Sequence, residues 1–229
     1  MKRILTFPVA IIFLCLMACN NGTEKTAEEA TIANSMPPAS FKIVMIEHPV
    51  ADFQTWKTAY LAHDSVRQSY GVSHYLYGRN MNDSGKVIVI DKFSDITRAN
   101  EFKSLPELKT VMEKAGVTGM PVFTFAEVIR NDDTKIDYPV RALIAHRVKD
   151  FDTWLEVFDA EGMNTRKEFG LLDRMLARGI EDPNMVYIIF ALSDLEKAKT
   201  RIVSDELEKL MIDAGVEGTP VVTYYQFVE

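Results

Sequence analysis

The stretch His48-Pro-Val-Ala-Asp-Phe-Gln-Thr-Trp56 returns later in the chain as His146-Arg-Val-Lys-Asp-Phe-Asp-Thr-Trp154. One chain therefore carries two copies of one unit. In each copy a short β-branched and apolar run, Lys42 to Glu47 or Val140 to Ala145, leads to the His and reads as a first strand. Asp52 and Asp150 then suit a helix N-cap, because a short carboxylate accepts the unpaired amide hydrogens of a first turn. Phe53, Trp56 and Tyr60 recur at three and four residues, as do Phe151, Trp154 and Phe158. That is one apolar helix face.

Outward from this stretch the copies stay in step. Gly71 and Gly170 stand where the helices should stop, since glycine tolerates the left-handed conformation of a C′ position. Second strands follow over Val72 to Arg79 and Leu171 to Arg178. The turns Asn82-Asp-Ser-Gly85 and Glu181-Asp-Pro-Asn184 lead into third strands, Val87 to Phe93 and Val186 to Leu192. Ser94-Asp95 and Ser193-Asp194 offer the next caps, for helices running to about Lys103 and Val203, with Pro106 interrupting or restarting the first. Ala115-Gly-Val-Thr-Gly-Met-Pro121 and Ala214-Gly-Val-Glu-Gly-Thr-Pro220 close each unit and enter a last apolar, aromatic strand.

The order β-α-β-β-α-β is the ferredoxin-like plan, with helices on one face of the sheet. Runs such as Val87-Ile-Val-Ile90 and Val186-Tyr-Ile-Ile-Phe190 leave the other face apolar too, so something must cover it. The second repeat is the natural cover. The fold expected is α+β, two tandem ferredoxin-like repeats packed sheet to sheet as a fused α/β barrel. Repeat one spans 41–129 and repeat two 139–229, joined by a polar linker, 130–138. Repeats of this size lie near the lower limit for folding alone, which favours burying one against the other.

These features resemble the dimeric α/β-barrel superfamily, and within it the antibiotic biosynthesis monooxygenase-like domains. The matching residues are His-x-Val-x-Asp-Phe-x-x-Trp in both repeats, Arg178 ahead of Glu181-Asp-Pro-Asn184, Ser193-Asp-Leu-Glu-Lys-Ala198, Glu206-Leu207 and Ala-Gly-Val-x-Gly-x-Pro. Members usually form the barrel from two chains. The resemblance implies that the pair is fused here into a monomeric pseudo-dimer. It also allows cofactor-independent oxidation of an electron-rich aromatic substrate.

At the amino terminus, Lys2 and Arg3 precede an apolar run from Ile4 to Met17, too short to span a bilayer and followed by polar residues. Leu16-Met17-Ala18-Cys19 resembles the lipobox of bacterial lipoproteins, which implies a signal peptide over 1–18 and acylation of Cys19. An ordinary signal cleaved after Ala18 is the other reading. Residues 19–40 are polar and read as a tether. Cys15 and Cys19 are the only cysteines, so the mature chain has no disulfide framework. Lipid tails at about 0.8 kcal/mol per buried methylene would hold the protein on a membrane, in the cell envelope, with the outer membrane expected.

The formal charge of −7 and the lack of a basic stripe set nucleic-acid binding aside. No phosphate loop, zinc-type cluster or nucleophile elbow occurs. His48, His63, His74 and His146 have no metal or haem spacing, so neither metal nor cofactor is expected.

Two readings stay open for His48 and His146. They act as base or ligand, or they hydrogen-bond nearby backbone and fix the strand-to-helix corner. Trp56 and Trp154 either line a ligand cavity or anchor the core, and their place one turn into an amphipathic helix favours the anchor. Arg79 and Arg178 either position the hairpin or hold an anionic group. On strand two the copies differ: His74 aligns with Asp173, Tyr75 with Arg174, and Tyr77 with Leu176. Tyr75, Tyr77, Arg79 and Arg178 are the ligand-binding candidates, and the Tyr and His cluster points to repeat one. Three functions follow: binding of a small hydrophobic or aromatic molecule between the two sheets, a cofactor-independent oxygenase, or a non-catalytic interaction module of the cell envelope.

Overall fold

Both leading caps form as the sequence expects. Asp52 Oδ1 accepts from the Thr55 amide and Asp150 Oδ1 from the Thr153 amide, each at 2.8 Å. Gly71 and Gly170 take φ of 71° and 77°, ending the helices in a conformation that disfavours a side chain. The computed structural model describes residues 34–228. The leader, Cys19 and the tether up to residue 33 lie outside the described residues.

Repeat one comprises β1 (Pro38–Pro49), α1 (Phe53–Ala62), α2 (Asp64–Ser69), β2 (Val72–Asn80), β3 (Lys86–Phe93), α3 (Ile96–Lys103), α4 (Pro106–Lys114) and β4 (Val122–Asn131). Repeat two comprises β5 (Val140–Val148), α5 (Phe151–Glu168), β6 (Leu171–Gly179), β7 (Met185–Leu192), α6 (Leu195–Ile202), α7 (Asp205–Asp213) and β8 (Val216–Val228). Pro106 starts α4 at its first turn, where the missing N–H costs nothing.

The strands close into one barrel in the order β1-β3-β2-β8-β5-β7-β6-β4. Each repeat contributes four neighbouring strands. The repeats join edge to edge, Tyr77 to Asn80 pairing with Val228 to Tyr225, and Ala126 to Asn131 with Gly179 to Met175. Closure leaves no free edge to template aggregation. Strand alternation then sorts side chains to two faces. Inward-facing Ile43, Met45, Ile88, Ile90, Leu143, Met175, Ile189, Tyr225 and Phe227 are all buried and pack against one another. These side chains pack the middle of the barrel, and the space left between the two sheets is a cavity with polar groups at one end of it rather than a purely hydrophobic one. Outward-facing residues form two further cores, one under each repeat's helices.

The folded part begins earlier than residue 41. Met36 is 2% exposed and packs into the outer core of repeat two, so the amino-terminal arm of repeat one crosses to the other half. It meets α5 at Gly162, which has φ 77° and ψ 153° and breaks the helix. In repeat one the chain passes from α1 to α2 at the corresponding place, without this extra residue. The amides of Met163 and Asn164, freed by the break, donate to Asn34 O and Asn34 Oδ1, both at 3.0 Å. Asn34 thus caps a helix from 130 residues away.

A Cβ on Gly162 would lie 2.0 Å from Asn34 Nδ2, in a backbone region that essentially only glycine occupies. Gly162→Ala is expected to cost at least about 2 kcal/mol in urea unfolding, and Asn34→Ala about 1 kcal/mol. Because the alanine displaces the cap, the double variant should lose less than the sum. Strict additivity would show that arm and break are independent.

Candidate functional site

His48 and His146 end up on the outer face of the barrel, under the helices. Each lies against the Trp of its own repeat, with ring centroids 5.6 Å apart for His48 and Trp56 and 5.5 Å for His146 and Trp154. They are 4% and 6% exposed. Among the described residues, neither ring nitrogen of either histidine has a protein hydrogen-bond partner. The corner-fixing reading is therefore not what the structure shows. Backbone holds the corner instead: the Ala51 amide donates to Gly116 O at 2.8 Å, and the Lys149 amide to Gly215 O at 2.9 Å. Those glycines belong to the two Ala-Gly-Val-x-Gly-x-Pro segments, whose recurrence thereby acquires a cause.

Burial lowers the pKa of both imidazoles to about 4. Both are neutral at pH 7, each with one donor and one acceptor nitrogen. The two histidines face separate cavities between sheet and helices. In repeat one, Ile46, His48 and Val89 form the floor, Trp56 and Tyr60 of α1 one wall, and Leu108 and Met112 of α4 the cover, around about 60 Å³. In repeat two, Ile144, His146 and Ile188 form the floor, Trp154 and Phe158 of α5 the wall, and Leu207, Leu210 and Met211 of α7 the cover, around about 80 Å³. The covers are weakly anchored. Leu108 is the only buried residue of α4, and α7 has none. Elements with so little buried apolar surface open at low cost.

The remaining predicted residues are scattered. Tyr77 is buried behind the repeat-one wall, 5.9 Å from the rings of both Trp56 and Tyr60. Tyr75 points the other way, into a polar cavity of about 270 Å³ at one end of the barrel, where the linker folds over it. Its hydroxyl donates to Asp133 and lies 3.2 Å from Asn131 Oδ1, and Arg174 beside it pairs with Asp132 and donates to Thr134 O. Arg79 lies over the Phe53 ring at 5.0 Å and donates to Ser84 O at 3.3 Å. Arg178 lies over Phe151 at 5.4 Å and pairs with Glu127 at 3.6 Å. Neither arginine lines the cavities of His48 and His146. The structure thus brings together each His with its Trp, and leaves Tyr75, Arg79 and Arg178 elsewhere.

Spacing along the sequence does not bring together the other polar groups at the two cavities. In repeat one the Tyr60 hydroxyl donates to Asp91 Oδ1 at 2.6 Å and lies 2.9 Å from His74 Nδ1, while Arg67 covers the Tyr60 ring at 3.8 Å. Burial, with Asp91 beside it, pushes the Tyr60 hydroxyl far above its ordinary value. In repeat two Arg166 holds Asp173 in a fork, Nε to Oδ1 at 2.9 Å and Nη2 to Oδ2 at 2.6 Å, and Arg201 pairs with Glu161 at 2.9 Å. The available signal was a single Asp inside each apolar strand region, at Asp91 and Asp173, together with the recurrence of Arg67 as Arg166. Among the described residues, no group of three or more His, Cys, Asp or Glu side chains is placed to hold a metal ion.

No family model matches the sequence, and no curated protein matches it. Solved structures do match in fold. A candidate monooxygenase from Fusobacterium nucleatum superposes with TM-score 0.55 at 12% identity, over 83% of this chain and 94% of that one. An anthrone oxidase-like protein gives 0.52 at 14%, over 84% and 95%. A candidate monooxygenase from Lactobacillus acidophilus gives 0.50 at 18%, over 82% and 94%. The architecture is that of the dimeric α/β barrels, completed here within a single chain.

A histidine whose folded pKa lies below its unfolded one takes up a proton on unfolding. Stability present above pH 6.5 is therefore lost as pH falls toward 4, by up to about 3 kcal/mol for each buried imidazole. The carboxyls of Asp52, Asp95 and Asp150, held low by amide hydrogen bonds, lose their contribution only below their ordinary value of 3.8. Urea midpoints should drop across this window for the wild type and stay nearly level for the His48→Gln, His146→Gln double variant. Equal slopes would place the titration in other groups.

Proposed function

We propose that this protein is a membrane-anchored binder of a small apolar or aromatic molecule carrying a hydrogen-bonding group, seated between sheet and helices rather than between sheets. The observation that carries this reading is the state of His48 and His146. A buried polar atom without a partner costs roughly 1–3 kcal/mol, and both imidazoles, among the described residues, leave their nitrogens without hydrogen-bond partners beside an apolar cavity and an indole. A ligand with one donor or acceptor on an apolar body relieves that cost. The weakly anchored α4 and α7 supply a way in.

The anchor rests on the leader and on Leu16-Met17-Ala18-Cys19, and it puts the protein in the cell envelope. No helix among the described residues is long and apolar enough to cross a membrane. Cofactor-independent oxidation is the second reading. It is supported by the neutral histidines and by the Tyr60, His74 and Asp91 contacts at the repeat-one cavity. Imidazoles with pKa of about 4 are weak bases, which favours binding over proton abstraction.

Native mass spectrometry of the full chain, expressed in a bacterial host and extracted from its membranes, tests both halves of the proposal. A chain beginning at acylated Cys19 and carrying a small molecule released by organic solvent is expected, with release at least ten-fold easier in His48→Ala, His146→Ala. An unmodified Cys19 would remove the anchor. Absence of any bound molecule, and of any toluene-induced change in indole fluorescence, would remove the binding reading.

A further inference from the structure

Resting on that binding reading, we propose that the two cavities are chemically unequal: the repeat-one cavity accepts a phenol, whose hydroxyl is received by Asp91, and so favours a hydroxyl over a bare ring more strongly than the repeat-two cavity does. The repeats differ by a carboxylate that has changed strands. In repeat one, β2 and β3 set His74 opposite Asp91; in repeat two, β6 and β7 set Asp173 opposite Phe190. Both carboxylates stay buried beside an arginine of the helix above, Arg67 or Arg166.

Their valences are filled differently. Asp173 gives both oxygens to Arg166, at 2.9 and 2.6 Å, and does not line the cavity that His146 faces. Asp91 gives Oδ1 to Tyr60, whose counterpart in repeat two is Phe158. Its Oδ2 lies 3.9 Å from Arg67 Nε, too far for a hydrogen bond, and among the described residues neither atom has a protein hydrogen-bond partner. Asp91 is 0% exposed and Arg67 2%, and both line the cavity that His48 faces. Repeat one therefore presents a buried carboxylate oxygen without a hydrogen-bond partner, among the described residues, to its cavity. Repeat two presents the His146 nitrogens, Arg201 Nε and Nη1, which lack hydrogen-bond partners among the described residues although Nη1 lies 3.0 Å from Glu206, and Glu161, whose two oxygens already accept from Arg201 at 2.9 Å and Arg166 at 3.4 Å. A phenol pairs its donor with a carboxylate far better than with a guanidinium.

The chain has two tryptophans, one in each cavity, so each cavity carries its own fluorescent reporter. Full-length Trp154→Phe reports repeat one through Trp56, and Trp56→Phe reports repeat two through Trp154. Titrated with p-cresol and with toluene, the first should bind cresol at least roughly ten-fold tighter, the second should show a smaller preference for cresol, and Asp91→Asn should bring the first ratio toward that of the second. If Asp91→Asn does not fold, the comparison between the two reporters still decides. The indole Nε1–H resonances of the unsubstituted protein give the same readout. Equal cresol-to-toluene ratios at both indoles, or an unchanged ratio in folded Asp91→Asn, overturn the inequality while leaving binding intact. Silence of both indoles to both probes overturns the inequality and the binding reading together.

Discussion

Closure of the barrel by two backbone ladders, β2 on β8 and β4 on β6, is the constraint from which the rest follows. Once the eight strands form a ring, every second side chain must point inward, and a ring of this size has an interior just wide enough for side chains to fill. Isoleucine, methionine, tyrosine and phenylalanine side chains fill it. Apolar space beyond that required for stability can then arise only on the outer face, beneath helices. There the wall helices α1 and α5 are held by their own aromatic anchors, and the covers α4 and α7 are not.

The second consequence of a fused pair is freedom to diverge. A barrel built from two identical chains would have identical cavities. In one chain each half is its own sequence, and the outcome is visible around His48 and His146: the same His-Trp contact and the same buried Arg-Asp neighbourhood, with the carboxylate on β3 in one half and on β6 in the other. The amino-terminal arm adds a further difference, since Asn34 and Met36 brace repeat two alone. Gly162 is the residue that makes room for that brace.

The fold was legible because its determinants are local and duplicated. Asp caps, aromatic residues at helical spacing, Gly stops and β-branched runs each speak for the few residues around them, and their recurrence revealed two ferredoxin-like units in one chain. The site was legible only in part. His48 and His146 stood out by position, and their partnerless state depends on what surrounds them, which spacing alone does not convey. The same holds for which face a side chain joins. A residue of slack in register separates Tyr75 from Tyr77, and bulges between His74 and Leu76 and between Asp173 and Met175 supply it. Arg79 and Arg178 looked available because their aromatic platforms, Phe53 and Phe151, are distant in sequence. In sequence the arm reads as tether because Asn34 and Met36 stand in a polar stretch and carry no periodic signal.

The central claim is that this barrel keeps its apolar free space under the helices and none in its middle. Xenon enters dry apolar cavities and scatters strongly, so crystals of the protein pressurised with xenon test the claim directly. The account predicts xenon against Trp56 and Trp154, on the helix side of both sheets. Xenon among Ile43, Ile88, Leu143 and Ile189, with none beside the two tryptophans, would contradict it.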